Sequence, residues 1–484
     1  MQTKRILPVI IFFILITNGL FAQQVYDLSQ VINLAKMNSL SSLQAKNRKE
    51  NRYWQYKTYQ SNYKPQLSLD GSLPDFNSSI SPVTQPDGTD IFIRRSLASS
   101  DLQLSISQAI SATGGRIFAG TNVQRIDLYG DNRSTSYAAS PLIFGVTQPV
   151  FGFNELKWDK RIEPIRYEES IKDYNEEVER VAIRASNLFF SLLLAQISLE
   201  ISQKNKINND TIYRIAEGRY ELGKIAENEL LQLELNLVNS EQQVRQARLD
   251  LETTMLNLNT FIGNPDNQEV TLIAPAEIPD FPIDVELAIQ QAKKNRQQYL
   301  AFKRELMEAE REVAQAKGQS GLNVNVVGSF GLTSQSNTFD MLYNDMQDQQ
   351  RLAVTFQIPI MDWGRQKAMK NTAIANQELV KNTVAQEEIN FEQEIYTLVK
   401  QFPILREQLK ASIRADEIAQ LRYDISQQRY LVAKISITDL NIALKEKDEA
   451  KQNYLQSLRD FWSAYYTIRA LTLYDFEQNV EITY

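Results

Sequence analysis

The stretch EGRYELGKIAENELLQLEL, residues 217–235, decides how the chain folds because it interrupts an otherwise unbroken helical pattern. Neither Gly nor Pro occurs in 165–217, and helical patterning resumes over 227–262. Gly223 can take the positive φ that a helix-ending position requires at low cost. The stretch therefore predicts the tip of a hairpin between two long helices.

Predicted helix lengths place this tip at the far end of a rod. At about 1.5 Å per residue, a helix over 155–216 would span roughly 90 Å. Helices over 27–64 and 227–262 would span roughly 57 and 54 Å by the same rise. Stacked end to end, the two shorter helices match the long one, so we expect strands at the near end of the rod.

The sequence repeats itself at two fixed spacings. RYELGKI at 219–225 recurs 210 residues later as RYLVAKI at 429–435, and PLIFGVTQPVFGFN at 141–154 aligns with RLAVTFQIPIMDWG at 351–364. Upstream, DLSQVINLAKMN matches DVELAIQQAKKN at a spacing of 257. The chain is therefore predicted to hold two copies of one unit, and the first copy carries a 47-residue excess before Pro141.

The N-terminus has the features of a secretory signal. Lys4 and Arg5 precede an apolar core, and Ala22 ends the segment. A membrane anchor is the alternative, although an apolar run of roughly 16 residues is short for a span. We expect a signal peptide (1–22), a first repeat (23–263), a linker (264–283), a second repeat (284–475) and a C-terminal tail (476–484).

Composition excludes several classes of function. The 484 residues include no Cys and no His, with 52 basic and 59 acidic groups. Disulfides are therefore excluded, as are most zinc sites and the commonest nucleophile–base pairs. The acidic balance gives no basic face for nucleic acid. We expect neither an enzyme nor a cofactor.

Two kinds of periodicity occur in each copy. Leu352, Val354, Phe356 and Ile358 alternate with more polar residues, which fits either a half-buried sheet or a membrane β-barrel. Apolar residues in the helical segments follow heptads, as in coiled coils. In the returning helix of the first copy these are Leu230, Leu233, Leu237, Val244, Ala247, Leu251 and Leu258.

The order of these features resembles the TolC-type outer-membrane efflux family. The resemblance is carried by the duplicated helix–strand–helix unit, by the turns TQPVFGF and QIPIMDW, and by the tips RYELGKI and RYLVAKI. It implies an α+β membrane protein in the outer membrane. Long coiled-coil helices would form a periplasmic α-barrel, continuous with a transmembrane β-barrel in contact with lipid.

The resemblance also implies a homotrimer that works with a periplasmic adaptor and an inner-membrane transporter. The implied strand-to-helix turns are at Pro149 and Phe151 and at Pro359 and Trp363. The implied adaptor-docking tips are formed by Tyr220, Leu222, Gly223 and Ile225, with Tyr430, Val432, Ala433 and Ile435.

Two positions depart from the family pattern at the tips. Ala433 replaces the second tip glycine, so that tip is either stiffer or carries an αL penalty of about 1 kcal/mol. Asp424 matches an acidic position of the periplasmic gate, whereas Gln427 occupies the second gate position. A surface carboxylate paired with Arg422 or Arg429 is the alternative for Asp424. The equivalent residue in the first copy is the basic Arg214.

The excess in the first copy contains two further strand-like segments, 101–110 and 116–130, joined by SATGG. They could extend the barrel to six strands per chain, form an elongated outer loop, or fold as a hairpin on the periplasmic side. The family implies four strands per chain, and we favour four, with 74–100 as the bulk of the first outer loop. Gly114-Gly115 is read as a hairpin turn, since no GK[ST] follows.

The resulting hypothesis is a channel-tunnel of a tripartite efflux or type I secretion system. The alternatives are a structural coiled coil and a porin without pump partners. The sequence does not identify the exported cargo or the class of pump.

Overall fold

The computed structural model describes residues 24–130, 133–264, 269–432 and 434–484, so the predicted signal peptide and Ala433 lie outside the described residues. The helices recur at the spacings seen in the sequence. They are α1 (Leu28–Asn38), α2 (Leu40–Ser61), α3 (Glu155–Glu221), α4 (Glu227–Ile262), α5 (Val285–Asn295), α6 (Gln297–Gln319), α7 (Arg365–Leu431) and α8 (Ile437–Thr472).

The long helices follow from the absence of breaking residues. Helices α3 and α7 have 67 residues each, and each contains one internal proline, Pro164 and Pro403. Helix α4 has the predicted bounds, and α3 extends five residues beyond the predicted end at 216. Each long helix spans about 100 Å.

The predicted single helix over 27–64 is wrong, because it breaks at Ser39. Ser39 has an extended backbone (φ −63°, ψ 142°) and ends α1. Its hydroxyl then accepts a hydrogen bond from the Ser42 amide at 3.2 Å, so it serves as a side-chain cap for the next helix. Arg296 separates α5 from α6 with a similar extended backbone (φ −74°, ψ 146°) but without a side-chain cap.

The chain divides into two compact units that do not coincide with the two sequence repeats. The first comprises, within the described residues, 24–43, 180–280 and 402–467. Its core includes Phe189, Phe190 and the stacked rings of Phe402 and Phe461, whose centroids are 5.1 Å apart. The short parallel strands β1 (Gln24–Tyr26) and β6 (Val270–Leu272) belong to it.

The second unit, 44–179, 281–401 and 468–484, contains an antiparallel sheet of six strands. Its strands, in spatial order, are β2 (Gln66–Thr84), β3 (Asp90–Ile110), β4 (Gly115–Tyr129), β5 (Ser134–Val150), β7 (Asn323–Ser336) and β8 (Gln347–Gln357). Two further short strands, β9 (Tyr474–Asp475) and β10 (Val480–Glu481), pair with each other.

The preference for four strands, with 74–100 as an outer loop, is wrong for this sheet. Residues 75–84 of β2 pair with 90–99 of β3, and the connection is the tight turn 85–89. Serines and prolines obscure the alternation there, but cross-strand contacts such as the Ser78 and Ser96 hydroxyls at 2.7 Å hold the pair.

One face of the sheet is apolar and exposed on all six strands. The register places Leu69 opposite Leu104, Phe144 opposite Phe330, and Val326 opposite Val354. The apolar face consists of Leu67, Leu69, Leu102, Leu104, Ile106, Ile117, Val123, Leu142, Phe144, Val146, Val326, Phe330, Leu332, Leu352, Val354 and Phe356.

One described helix, α3, contains a window long and apolar enough to cross a bilayer, and half of that window is buried in the structure. The core helix of a protein without a helical span passes the same test. The window is therefore weak evidence for a transmembrane helix.

A buried charge network holds the C-terminal segment to α3 in the second unit. The Glu179 side chain is fully buried and pairs with Arg469 at 3.3 Å. Arg469 also pairs with Asp475, and the Tyr484 hydroxyl donates to Glu179. Charges taken out of water in this way are stable only while their partners remain.

We expect Arg469→Met to lower the free energy of unfolding by about 3–5 kcal/mol, because two acidic side chains lose their guanidinium partner. Lys204→Met, which removes the exposed pair with Glu200, should cost less than about 1 kcal/mol. Denaturant unfolding of the purified protein measures both. Equal losses in the two variants would contradict the role of the network.

Candidate functional site

The first helix tip closes around Gly223. Gly223 has φ +67°, as predicted, and no atom lies within 4 Å of the position a Cβ would occupy. The Lys224 amide donates to the Arg219 carbonyl at 2.9 Å, and the Gly223 amide donates to the Tyr220 carbonyl at 2.8 Å. These bonds satisfy the last carbonyls of α3, so the chain can reverse into α4 at once.

The second tip uses an equivalent closing bond between α7 and α8. The Lys434 amide donates to the Arg429 carbonyl at 2.9 Å, the counterpart of the bond at the first tip. Ser436 then caps α8, because its hydroxyl accepts from the Asp439 amide at 3.2 Å, and the Asp439 carboxylate in return accepts from the Ser436 amide. The expected strain at Ala433 lies outside the described residues and stays a prediction.

An apolar cluster joins the two tips within the first unit. This tip cluster consists of Ile212, Ala216, Leu233, Tyr423, Tyr430, Ile437 and Leu440, with Tyr213, Ile225, Leu230, Ile435 and Leu444 packed against it. Because α3, α4, α7 and α8 all contribute, the two tips form one packed body.

The predicted docking residues divide into two groups. Leu222 and Val432 are 71% and 63% exposed, and Tyr220 is 40% exposed. In contrast, Tyr430 is only 9% exposed and belongs to the tip cluster, and Ile225 and Ile435 pack against it. A partner can therefore reach Tyr220, Leu222 and Val432, whereas Tyr430, Ile225 and Ile435 hold the tips together.

A cation links the two tips, and the sequence alone did not predict this contact. The Arg219 guanidinium lies 5.9 Å from the ring centroid of Tyr430 and donates to the Leu431 carbonyl at 3.3 Å. Burial raises the pKa of the Tyr430 phenol, so this side chain stays neutral. The repeated RY dipeptide was the available signal, but it does not show which tyrosine is buried.

The candidate gate residues lie on α7, one to two turns before its end. Asp424 is exposed and accepts a hydrogen bond from Gln420 at 2.9 Å, whereas Gln427 is half-buried. Among the described residues Asp424 forms no ion pair, since Arg422 pairs with Glu446 of α8 instead. The alternative, a pair of Asp424 with Arg422 or Arg429, does not form among the residues that the structure describes.

An apolar groove of about 450 Å³ lies beside the gate residues, between α7 and α8. It is lined by Ile418, Leu421, Ile425, Ile435 and Ile442, with charged groups at its rim. The sequence alone did not predict this groove. The available signal was the heptad spacing of 418, 421 and 425, which indicated a coiled-coil seam without showing that it lacks a partner in one chain.

The predicted strand-to-helix turns lie between a sheet strand and a long helix. Pro149 is the penultimate residue of β5, and Pro359 follows the end of β8. Phe151 and Trp363 both have positive φ, 62° and 53°, and both side chains are largely exposed. The left-handed backbone at these bulky residues is a strained conformation.

Different side chains cap the helices after the two turns. Asn154 accepts from the Lys157 amide at 3.1 Å at the start of α3. Asp362 accepts from the Gly364 and Gln366 amides at 3.0 Å each at the start of α7.

No cluster of His, Cys, Asp or Glu suited to a metal ion occurs among the residues that the structure describes.

Comparison with known proteins assigns the sequence to a family and finds solved structures with the same fold. A model of the outer membrane efflux protein family matches residues 31–264 and 288–472. No similar sequence was found among curated proteins.

Solved channels share the fold at low sequence identity. The Campylobacter jejuni CmeC outer membrane channel is 16% identical, with 92% of this chain and 85% of that chain covered and a TM-score of 0.67. The outer membrane protein VceC of Vibrio cholerae is 14% identical, with 92% of this chain and 96% of that chain covered and a TM-score of 0.63. The open-state MtrE outer membrane channel of Neisseria gonorrhoeae is 14% identical, with 92% of this chain and 88% of that chain covered and a TM-score of 0.61.

The tip tyrosines allow a matched test of this packing. We expect Tyr430→Ala to lower the free energy of opening of the tips by about 2–4 kcal/mol, because a buried ring is removed. Tyr220→Ala should change it by no more than about 0.5 kcal/mol. Limited trypsin digestion at the tip lysines and arginines measures the opening. Equal cleavage rates in the two variants would show that Tyr430 does not hold the tips together.

Proposed function

We propose a transport mechanism from one premise: the chain belongs to the outer membrane efflux protein family. It is an outer-membrane channel of tripartite efflux pumps, and its helices form a tunnel into the periplasm. The observation that carries this conclusion is the family match over both repeats. A structural coiled coil would leave the sheet without a role, and a porin would leave the 67-residue helices without one.

The exposed apolar face of the sheet fits contact with the outer-membrane lipid. Apolar side chains on one face and polar ones on the other are the pattern of membrane β-strands. The apolar residues of this face form a band across the sheet. On the side of the band away from the helices, the same face carries the ion pair Arg125–Asp127 at 2.9 Å, together with Tyr129 and Tyr137. Aromatic and charged groups are typical of the membrane–water interface.

Homotrimer formation is supported by apolar stripes that a single chain leaves exposed in the first unit. Helix α4 exposes Leu231, Leu235 and Val238, and α7 exposes Ile418, Leu421 and Ile425. Both sets have heptad spacing. Contact of an α4 stripe with the α7 stripe of the next copy is heterologous, and such contacts close into a ring when the rotation is three-fold.

The exposed tip residues are the proposed contact for the periplasmic adaptor. Leu222 and Val432 present apolar side chains to solvent at the ends of α3 and α7, with Tyr220 beside them. Exposed apolar groups at such a place support a binding role. The inner-membrane transporter would then deliver its cargo through the adaptor, and we assign no catalytic activity to the chain.

Asp424 is the proposed selectivity residue of the periplasmic entrance. Its carboxylate is exposed and free of ion pairs within the described residues. Three such carboxylates around a three-fold axis would attract cations and repel one another, and confinement would strengthen both effects.

Gly223→Val tests the docking tip. The variant should remain in the outer-membrane fraction as a trimer but lose export, because a β-branched residue cannot hold φ +67° without strain. Gly218→Ala, within the helical end of α3, is the matched control and should export normally. Cells lacking the native gene, complemented with each variant, are assayed for accumulation of a pump substrate. Normal export by Gly223→Val would remove the tip from the docking site.

Asp424→Ala tests the entrance. We expect weaker cation selectivity and weaker block by multivalent cations in planar bilayers, with the trimer intact. Glu417→Ala removes the same charge two turns earlier, from a residue paired with Arg414, and should change neither property. Unchanged selectivity and block in Asp424→Ala would place the gate elsewhere.

A further inference from the structure

We propose that the hairpin β3–β4, which has no counterpart in the second repeat, forms part of the membrane-spanning wall of the channel. Each chain would then contribute six strands, and a trimer would close a barrel of eighteen. The proposal rests on the trimeric outer-membrane channel proposed above, and adds to it the width of the exit.

The extra hairpin is paired on both sides along its membrane-facing length. Strand β3 pairs with β2 from Ser107 to Asp101 and with β4 over the same residues. Strand β4 in turn pairs with β5 from Arg116 to Leu128. The hairpin is therefore an interior part of the sheet rather than an appendage to it.

The apolar face extends across the hairpin, where Leu102 lies opposite Val123 and Ile106 opposite Ala119, with Thr121 as a polar exception. Leu104 lies between Leu69 of β2 and Thr121 of β4, and Ile117 lies opposite Val146 of β5. The side chains of Leu102, Leu104 and Ile106 are 40–43% exposed. A hairpin that stayed in water would have no reason to match the apolar band of its neighbours.

The opposite face is polar on β3 from Asp101 to Ser107, and on β4 Asn122 and Gln124 continue it beside one aromatic residue, Phe118. The hydroxyls of Ser68 and Ser105 lie 3.1 Å apart, and Ser72 donates to Asp101. Gln103 and Ser107 alternate with the apolar residues on the same strand. Both faces therefore fit a wall between lipid and water.

The turn 111–114, which joins β3 to β4 on the side of the helices, is hydrogen-bonded to the segment 148–154 that leads from β5 into α3. The Asn154 amide nitrogen donates to the carbonyls of Ser111 and Ala112 at 3.0 and 3.3 Å. Gln148 donates to the Thr113 carbonyl at 3.0 Å. Strands β3 and β4 therefore meet at the level where β5 ends, which sets them at the same depth as the other strands.

The consequence for function is a wider exit. The diameter of a barrel grows roughly linearly with strand number, so eighteen strands give an exit about 1.5 times as wide as twelve. The lumen would be lined by additional hydroxyl, amide and carboxylate groups. Bulky, hydrated cargo could then cross the outer membrane without the barrel restricting its size.

Cysteine labelling in the native membrane tests this placement, and the chain has no cysteine of its own. Single cysteines replace each residue of 102–107 in β3, and each residue of 351–356 in β8 as the matched reference strand. Whole cells are treated with a membrane-impermeant maleimide. A tag in the turn 85–89 reports whether each variant reaches the cell surface.

We expect the maleimide reaction rates to alternate from residue to residue in the same way along β3 and β8. Cysteines at Gln103, Ser105 and Ser107 should react at least about ten-fold faster than those at Leu102, Leu104 and Ile106, because the reacting thiolate needs water. Alternation in β8 with uniform reaction in β3 would overturn the eighteen-stranded wall and leave the channel function standing. Uniform reaction in both strands, with the tag exposed, would instead overturn the proposed placement of the sheet in the membrane.

Discussion

Unpaired backbone at the two edges of the sheet is the constraint on which the rest of the structure depends. Strands β2 and β8 are the outermost strands of the described sheet, so each has one side without a strand neighbour in its own chain. Hydrocarbon offers no hydrogen bonds to such groups, and only a closed barrel satisfies them. The edges can pair between copies because β2 and β8 run in opposite directions. Above the band, Pro74 and Pro82 in β2 lack the amide hydrogen that further edge pairing would need.

Strand parity explains how the first repeat could accept an insertion. A single extra strand would reverse the direction of everything that follows, and α3 would then start on the wrong side of the sheet. A hairpin restores the direction, so α3 and α7 still begin after corresponding strands and both have 67 residues. The helices after the hairpin therefore recur at a spacing of 210, whereas those before it recur at 257.

The sequence allowed the helices to be predicted because local signals determine them. Heptads and Gly223 placed both bounds of α4, but local signals were insufficient at Ser39, where a serine cap breaks the helix. The hairpin β3–β4 was misjudged because its pairing depends on neighbours far along the chain. The tips show the same limit: Tyr220 and Tyr430 follow identical arginines, yet only Tyr430 is buried, under Arg219. Contacts between helices, and not the local sequence, decide which tyrosine a partner can reach.

The width of the helical layer favours six strands over four for a reason independent of side chains. Four helices of the second unit join the sheet: α2 leads into β2, α3 follows β5, α6 leads into β7 and α7 follows β8. At roughly 8–10 Å per helix, they occupy about 32–40 Å of circumference. Six strands about 4.8 Å apart and tilted by about 40° occupy roughly 38 Å, whereas four occupy about 25 Å. With six strands the proposed barrel wall and the proposed tunnel would have nearly equal circumferences, so the strand-to-helix turns at Phe151 and Trp363 would not need to narrow the passage.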